Sequence, residues 1–308
     1  MTAGGHPPPF RERLRGKTPL ILDGGMGTML IAAGLPLGAP PEAWVLERPD
    51  EVLAVHRAFV AAGSDAVQTC TFGASTVRLA RYGLDARADE ICSQAVRLAR
   101  AAGSRYVIGN VGPSGEMLPP VGRADLAVLR ASFAAQGRAF AATGVDALHI
   151  ETMTDLREAR CALAALREAA PTLPVIVSMT FERKKRGFFT LMGDAAAASL
   201  TALAAAGADG VGVNCSVAAT DMHVLALELV GAVSVPLVIQ PNAGSPERVG
   251  EVVRYAEAPE AFAEVMAQIG RAGVRVLGGC CGTEPRFIAA LRERLGGRTS
   301  SLADDLRS

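Results

Sequence analysis

One pattern constrains this chain more than any other. Eight times a short run rich in β-branched residues is followed by a longer run rich in Ala, Leu and Arg. The short runs fall at 19–25, 65–72, 105–112, 146–152, 174–181, 209–216, 236–243 and 275–282. The longer runs read as helices. Val52, Val55 and Phe59 fall on one helical face, as do Leu126, Leu129, Phe133 and Phe140. Gly63, Gly103, Gly144 and Gly207 stand just before the next strand, where glycine suits the left-handed cap of a helix.

Eight strands, each followed by a helix, make a single-domain (β/α)8 TIM barrel the expected α/β architecture for a chain of 308 residues. The barrel is placed at 17–296, between a flexible N-terminal segment at 1–16, rich in Pro, Gly and Arg, and a polar tail at 297–308. A doubly wound open sheet is the competing architecture. It is disfavoured because Asp23-Gly24-Gly25-Met26-Gly27-Thr28 misses the G-x-G-x-x-G spacing and no acidic residue ends the second strand.

Charge narrows the partners. Lys plus Arg and Asp plus Glu both number 31, which argues against a nucleic-acid binder held by phosphate contacts. No apolar stretch approaches the roughly 20 residues that span a bilayer, and residues 1–17 lack the apolar core of a secretory signal. A soluble cytoplasmic protein with no membrane partner is expected. In that compartment the six cysteines are not a disulfide framework, and any that cluster suggest a metal site or a reactive thiol.

In such barrels the chemistry sits at the carboxyl ends of the strands. Those ends carry Asp23 and Gly25 on the first strand and Thr71 on the second, with Cys70 beside it. His149 and Glu151 end the fourth, Asn214 and Cys215 the sixth, Asn242 the seventh, and Cys280 and Cys281 the eighth. The sixth and eighth strands feed the same interior layer, so Cys215 can meet the pair. Adjacent residues on a regular strand face opposite ways. Both Cys280 and Cys281 can reach one point only if the strand end is distorted, and Gly278, Gly279 and Gly282 give the backbone that freedom.

Three thiolates plus one exchangeable position is a zinc arrangement open to substrate. Inert buried thiols, or a strained Cys280–Cys281 disulfide, are the competing readings. Cys92 and Cys161 read as core or surface filler, and Cys70, near the mouth, reads as packing with a fourth thiol as the alternative. Of the four histidines only His149 lies near the mouth, and it is not taken as a ligand. Asp23 and Glu151 are read as carboxylates for a substrate ammonium, with ion pairing elsewhere as the alternative. Asn242 orients substrate, fills a metal position, or makes an Asx turn before Gly244. The basic run ERKKR at 182–186 reads as a solvated loop, with docking of an acidic partner as the second possibility.

A zinc centre with three thiolate ligands, of net charge about −1, suits binding a substrate thiol and keeping it a nucleophilic thiolate at neutral pH. Alkyl transfer to sulfur is the reaction this suggests. Carboxylates for an ammonium, with backbone N–H groups near Gly25, Met26 and Thr71, suggest an amino-acid thiol.

The stretches Gly212-Val213-Asn214-Cys215-Ser216, Gln240-Pro241-Asn242-Ala243-Gly244 and Gly278-Gly279-Cys280-Cys281-Gly282-Thr283 resemble the motifs of the homocysteine S-methyltransferase family. Asp23-Gly24-Gly25-Met26-Gly27-Thr28, Thr69-Cys70-Thr71-Phe72-Gly73 and Glu151-Thr152 resemble its substrate-binding stretches, and the resemblance runs from about 17 to 295. It implies zinc on Cys215, Cys280 and Cys281, and the homocysteine amino group near Asp23 and Glu151. Asn242 matches an asparagine that fills the fourth zinc position in substrate-free members of the cobalamin-dependent branch.

Within the family the chain is most similar to the N-terminal homocysteine module of cobalamin-dependent methionine synthases, through 22–30, 67–75 and 109–120. That similarity implies methylcobalamin or a methyl-corrinoid protein as donor, with a separate corrinoid- or folate-binding methyltransferase subunit as one possible partner. Betaine or S-methylmethionine as donor, and a non-catalytic thiol- or zinc-binding subunit, are the alternatives. The low aromatic content, 5% with Trp44 the only Trp, disfavours a cage for betaine.

Overall fold

Aspartates organise the amino-terminal edge of the sheet. Asp65, Asp146 and Asp209 each stand two residues after a helix-ending glycine and open a strand. Each carboxylate accepts a backbone N–H from the neighbouring strand: Asp65 from Ile21 (2.9 Å), Asp146 from Val107 (2.7 Å) and Asp209 from Val175 (3.0 Å). Arginines neutralise them, with Arg13 and Arg292 at Asp65, Arg100 at Asp146, and Arg11 and Arg167 at Asp209. Strand-end N–H groups that would otherwise be orphaned are thereby satisfied.

The computed structural model describes residues 7–249 and 252–296. Its strands are β1 (Leu20–Ile21), β2 (Ala66–Gln68), β3 (Tyr106–Val111), β4 (Ala147–Met153), β5 (Val175–Met179), β6 (Glu182–Lys184), β7 (Gly187–Phe189), β8 (Gly210–Ala218), β9 (Leu237–Asn242), β10 (Pro246–Val249), β11 (Val252–Tyr255) and β12 (Val276–Leu277). Eight of them form one sheet in the order β1-β12-β9-β8-β5-β4-β3-β2, and every pairing in it is parallel. The seam between β1 and β2 is bridged by the Asp65 N–H to the Ile21 carbonyl (2.7 Å) and by the Gln68 N–H to the Asp23 carboxylate (2.8 Å). The sheet thus curls into the expected (β/α)8 barrel. All eight expected strands are present, and the first and last are cut to two residues because their ends leave the ladder for loop contacts.

Two antiparallel hairpins, β6–β7 and β10–β11, add to the barrel beyond the eight expected strands. The basic run at 182–186 forms β6 and the turn after it, with Arg183 paired to Asp221 and Lys184 to Glu182. On the helix Leu126–Thr143, Leu129, Phe133 and Phe140 are buried as expected, whereas Leu126 is exposed.

The core has two parts. One lies between sheet and helices, where Val52, Val55 and Phe59 pack. The other fills the barrel interior: Leu20, Leu22, Ala66, Ile108, Ala147, Ile176, Val238 and Val276. Phe10 and Leu14, from the helix Phe10–Leu14, belong to that interior cluster and are buried. Within the segment 1–16, expected to be flexible, residues 10–14 are helical and packed. Two large apolar side chains in a Pro- and Arg-rich stretch drive a helix onto the barrel floor, each contributing about 1.5–3 kcal/mol by burial. Phe10 also meets Tyr106 edge-on at 5.3 Å between ring centroids, and Tyr106 donates to the Pro8 carbonyl (2.8 Å). Residues 1–6 and the tail at 297–308 lie outside the described residues. Among the described residues no helix is long and apolar enough to cross a membrane.

Candidate active site at the carboxyl end of the barrel

A cavity of about 370 Å³ is lined by the carboxyl ends of the strands and the loops after them. Asp23, Gly25, Met26, Thr71, Glu151, Cys215, Cys280 and Cys281 all line it. Asn242 is not among the lining side chains. It is buried, and its Oδ1 accepts the Cys281 N–H at 3.1 Å, so it supports the backbone of Cys281.

The three cysteines converge by two different distortions. β8 breaks register with β9 between Asn214 and Ala218, and Cys215 in that bulge has φ 63°. Bulges of this kind re-aim a side chain. Cys280 and Cys281 lie beyond β12, in a turn where the Thr283 N–H and hydroxyl both donate to the Cys280 carbonyl (3.2 and 2.6 Å). Gly282 has φ 78°, and a β-carbon there would collide with the Tyr255 ring. The loop is pinned further by the Gly279 N–H to the Asp23 carbonyl (3.0 Å) and the Gly25 N–H to the Thr283 carbonyl (2.9 Å).

The Sγ atoms of Cys215 and Cys281 are 4.0 Å apart, and all three Sγ atoms lie within 4.8 Å of one another. Sulfurs around a tetrahedral zinc at about 2.3 Å would be about 3.8 Å apart. A donor set of three soft thiols fits that metal. Hydrogen bonding to Cys215 and Cys281, then burial, pushes the Cys280 thiol well above its usual range. Cys281 is pushed up to about 12, first by its hydrogen bond to Cys215. Thiols this close resist ionising together unless a cation compensates them. Tyr255, from the β10–β11 hairpin, is hydrogen-bonded to Cys281.

Beside the thiols lie two buried carboxylates. Asp23 Oδ2 accepts the Gln68 N–H (2.8 Å), while Oδ1 is buried with no hydrogen-bond partner. Glu151 accepts from Asn110 Nδ2 (2.7 Å) and from Asn214 Nδ2 (3.1 Å). Burial is the first cause that raises both, Asp23 to about 8 and Glu151 to about 7. The backbone N–H groups expected as free donors are engaged within the chain: Gly25 with Thr283, Met26 with Gly24, and Thr71 with Thr69. Gly27 and Thr28, in the first turn of the helix Met26–Ala32, also line the cavity.

His149 is not part of the three-thiol cluster. It is buried between Gln68 Oε1 (2.6 Å) and Ser178 Oγ (2.8 Å), and burial lowers it to about 3, so it is neutral. Cys70 lines the cavity but donates to the Pro41 carbonyl (3.7 Å), away from the cluster. Gln68 and Asn110 stand at the ends of β2 and β3, where the chemistry was expected, and Tyr255 is the residue missed from sequence. The run 252–255, V-V-R-Y, carried a strand signal that would have found Tyr255.

Fold and site define a class: a (β/α)8 barrel with a three-thiol centre, of the kind that holds a thiophilic metal, next to buried carboxylates. The sequence profile of the Homocysteine S-methyltransferase family matches residues 20–295, and the chain belongs to that family of methyltransferases. It is 32% identical over 288 residues to methionine synthase of Mycobacterium tuberculosis (strain ATCC 25618 / H37Rv) and 31% identical to methionine synthase of Mycobacterium leprae (strain TN). Each match takes in 87% of this chain and 24% of the relative, so the chain spans about a quarter of the length of these curated relatives. Among solved structures it is similar to the homocysteine methyltransferase MmuM from Escherichia coli in its metallated form. The TM-score is 0.77 and the identity 27%, over 93% of this chain and 99% of that one.

Proposed function

We propose that the chain methylates the thiol of homocysteine to give methionine, with Zn2+ held by Cys215, Cys280 and Cys281 and the methyl group delivered by a methylcorrinoid. The observation that carries the reading is the convergence of three thiols beside two buried carboxylates that have no cationic partner among the described residues. Zinc so held supplies a position where a substrate thiol ionises at neutral pH and stays nucleophilic.

The chain's own groups do the rest. Asp23 Oδ1 and Glu151 receive the substrate ammonium, which supplies the charge that their burial otherwise lacks. Gly25, Met26 and Thr71 form the wall against the rest of the amino acid. Asn242 keeps Cys281 in place from behind. In the transfer, the sulfur–methyl bond forms as the donor–methyl bond breaks, and the thiol proton leaves to solvent.

The greater identity to methionine synthases, with the strand-end motifs, favours a methylcorrinoid as the donor. The match to MmuM over 99% of its chain supports a second reading, with a small donor such as betaine or S-methylmethionine. Zinc-loaded, reduced protein should be given homocysteine with methylcobalamin, betaine or S-methylmethionine in parallel. Methionine from methylcobalamin alone is the expected result. Methionine only from one of the small donors would replace the donor assignment. No methionine from any donor, with zinc bound, would remove homocysteine methylation as the reading of the isolated chain.

A further inference from the structure

Asn214 touches both halves of the site. Its Nδ2 donates to Glu151 Oε2 (3.1 Å) and Thr152 Oγ1 (2.7 Å) and lies 3.8 Å from Cys280 Sγ. Its Oδ1 accepts the Thr152 N–H (2.8 Å). The side chain is fully buried and immediately precedes Cys215. β5 lies between β4 and β8 in the sheet, so this one carboxamide reaches past a whole strand.

The backbone on both sides of the bridge is unusual. Thr152 and Cys215 are the two non-glycine residues with positive φ among the described residues, at 60° and 63°. Each sits in a break of register, in β4 between Ile150 and Met153 and in β8 between Asn214 and Ala218. Strained backbone of this kind persists only where its surroundings over-determine it. Here Asn214 ties one strained residue by two hydrogen bonds and is covalently joined to the other.

We infer that Asn214 is a positioning residue that fixes the separation between the Glu151 carboxylate and the three-thiol centre, so that the site measures the carbon chain of its amino-acid thiol. The inference rests on the proposed roles of Glu151 and of the cysteines. Glu151 is held from two sides, by Asn110 from β3 and by Asn214 from β8. Its freedom to follow a shorter substrate is therefore small. Cysteine is one methylene shorter than homocysteine and cannot place its ammonium at Glu151 and its sulfur at the thiol centre together. Without the carboxamide, the Thr152 N–H and one Glu151 oxygen lose their partner, and both bulges are released.

The test uses Co2+-loaded protein, whose thiolate-to-cobalt absorption reports thiol binding without turnover. Homocysteine and cysteine are titrated separately into the parent, Asn214→Ala and Asn214→Asp. The Asp variant keeps an acceptor for the Thr152 N–H but turns a repelling oxygen toward Glu151, so it guards against simple misfolding of the Ala variant. The melting temperature of each metal-free variant reports folding.

The parent is expected to favour homocysteine. Both variants should weaken homocysteine binding by about 10–100-fold, the usual cost of removing an outer-shell partner. Cysteine binding should change much less, so the discrimination collapses. In chelator competition Asn214→Ala should also release metal more readily. Folded variants that keep the parent's ratio of homocysteine to cysteine affinity would overturn the inference and leave Asn214 a stabilising residue only. If the parent binds Co2+ but neither thiol alters its spectrum, the reading of the site itself fails, and the inference with it.

Discussion

Asp23 and Glu151 line one cavity as buried acids, and no cationic side chain among the described residues pairs with either. Asp23 is the more exposed to the consequence, because its Oδ1 has no partner at all. Burial raises it from 3.8 to about 8, and the nearby Glu151 adds to the rise. The unfolded chain therefore gives up this proton at lower pH than the folded one. The Asp23 contribution to stability is full below the unfolded value of 3.8, falls as pH rises, and is lost once pH passes about 8. In metal-free, substrate-free protein, Asp23→Asn should thus gain stability over the parent at pH 8 and gain little at pH 4. Denaturant unfolding at several pH values reads this directly. A parent–variant difference that stays flat across the range would show that Asp23 is compensated in a way the buried site does not reveal.

Removing one thiol should remove the metal without removing the barrel. Cys215→Ala, Cys280→Ala and Cys281→Ala each leave two donors, while the strand ladder and both cores are untouched. Zinc content should fall below one per chain in each variant. Methyl transfer should drop by more than the roughly 100-fold that loss of an outer-shell partner costs. Far-ultraviolet circular dichroism should remain that of the parent. Chelation of the parent under reducing conditions should have the same effect, reversed by Zn2+. Full zinc and activity in all three variants would move the centre elsewhere.

Glu151→Gln separates substrate binding from metal binding. The amide keeps the size of the side chain but not the charge that an ammonium needs. A hydrogen bond to a charged group contributes about 1.5–3 kcal/mol, so homocysteine affinity should fall roughly 10–100-fold. Zinc affinity should change far less, since no Glu151 atom belongs to the thiol cluster. Isothermal titration with homocysteine, beside a zinc competition assay, distinguishes the two. Unchanged homocysteine affinity would take the ammonium away from Glu151.

The barrel was legible because eight runs rich in β-branched residues each precede a helical run, the alternation that a (β/α)8 barrel requires. The three cysteines were legible because thiols at two strand ends are chemically conspicuous. Local reading failed where tertiary register decides. Asn242 looked like a group for the cavity, yet its oxygen is taken by the Cys281 N–H across the sheet. The N–H groups of Gly25 and Thr71 looked free, yet loop geometry closes them onto Thr283 and Thr69. Charged residues in 182–186 hid a hairpin. The glycine before Asp65, Asp146 and Asp209 reads locally as a helix stop, while the aspartate's bond to the next strand depends on a neighbour far away in sequence.

The barrel floor gives a stability test that leaves the chemistry alone. Phe10 and Leu14 close the interior cluster at the end opposite the cavity, against Leu20, Tyr106, Ile176 and Val276. Phe10→Ala removes a buried ring and its edge-on contact with Tyr106, and a helix of five residues cannot refill the space. Such a truncation costs about 3–5 kcal/mol when the cavity does not collapse. If the helix instead peels off the floor, the Tyr106 bond to the Pro8 carbonyl goes with it, and the cost moves toward the upper end. Denaturant unfolding should therefore show a lower midpoint with zinc content and homocysteine affinity of the folded protein unchanged. A loss below about 0.5 kcal/mol, the scale of an ordinary surface change, would mean that residues 7–16 lie on the barrel without closing it.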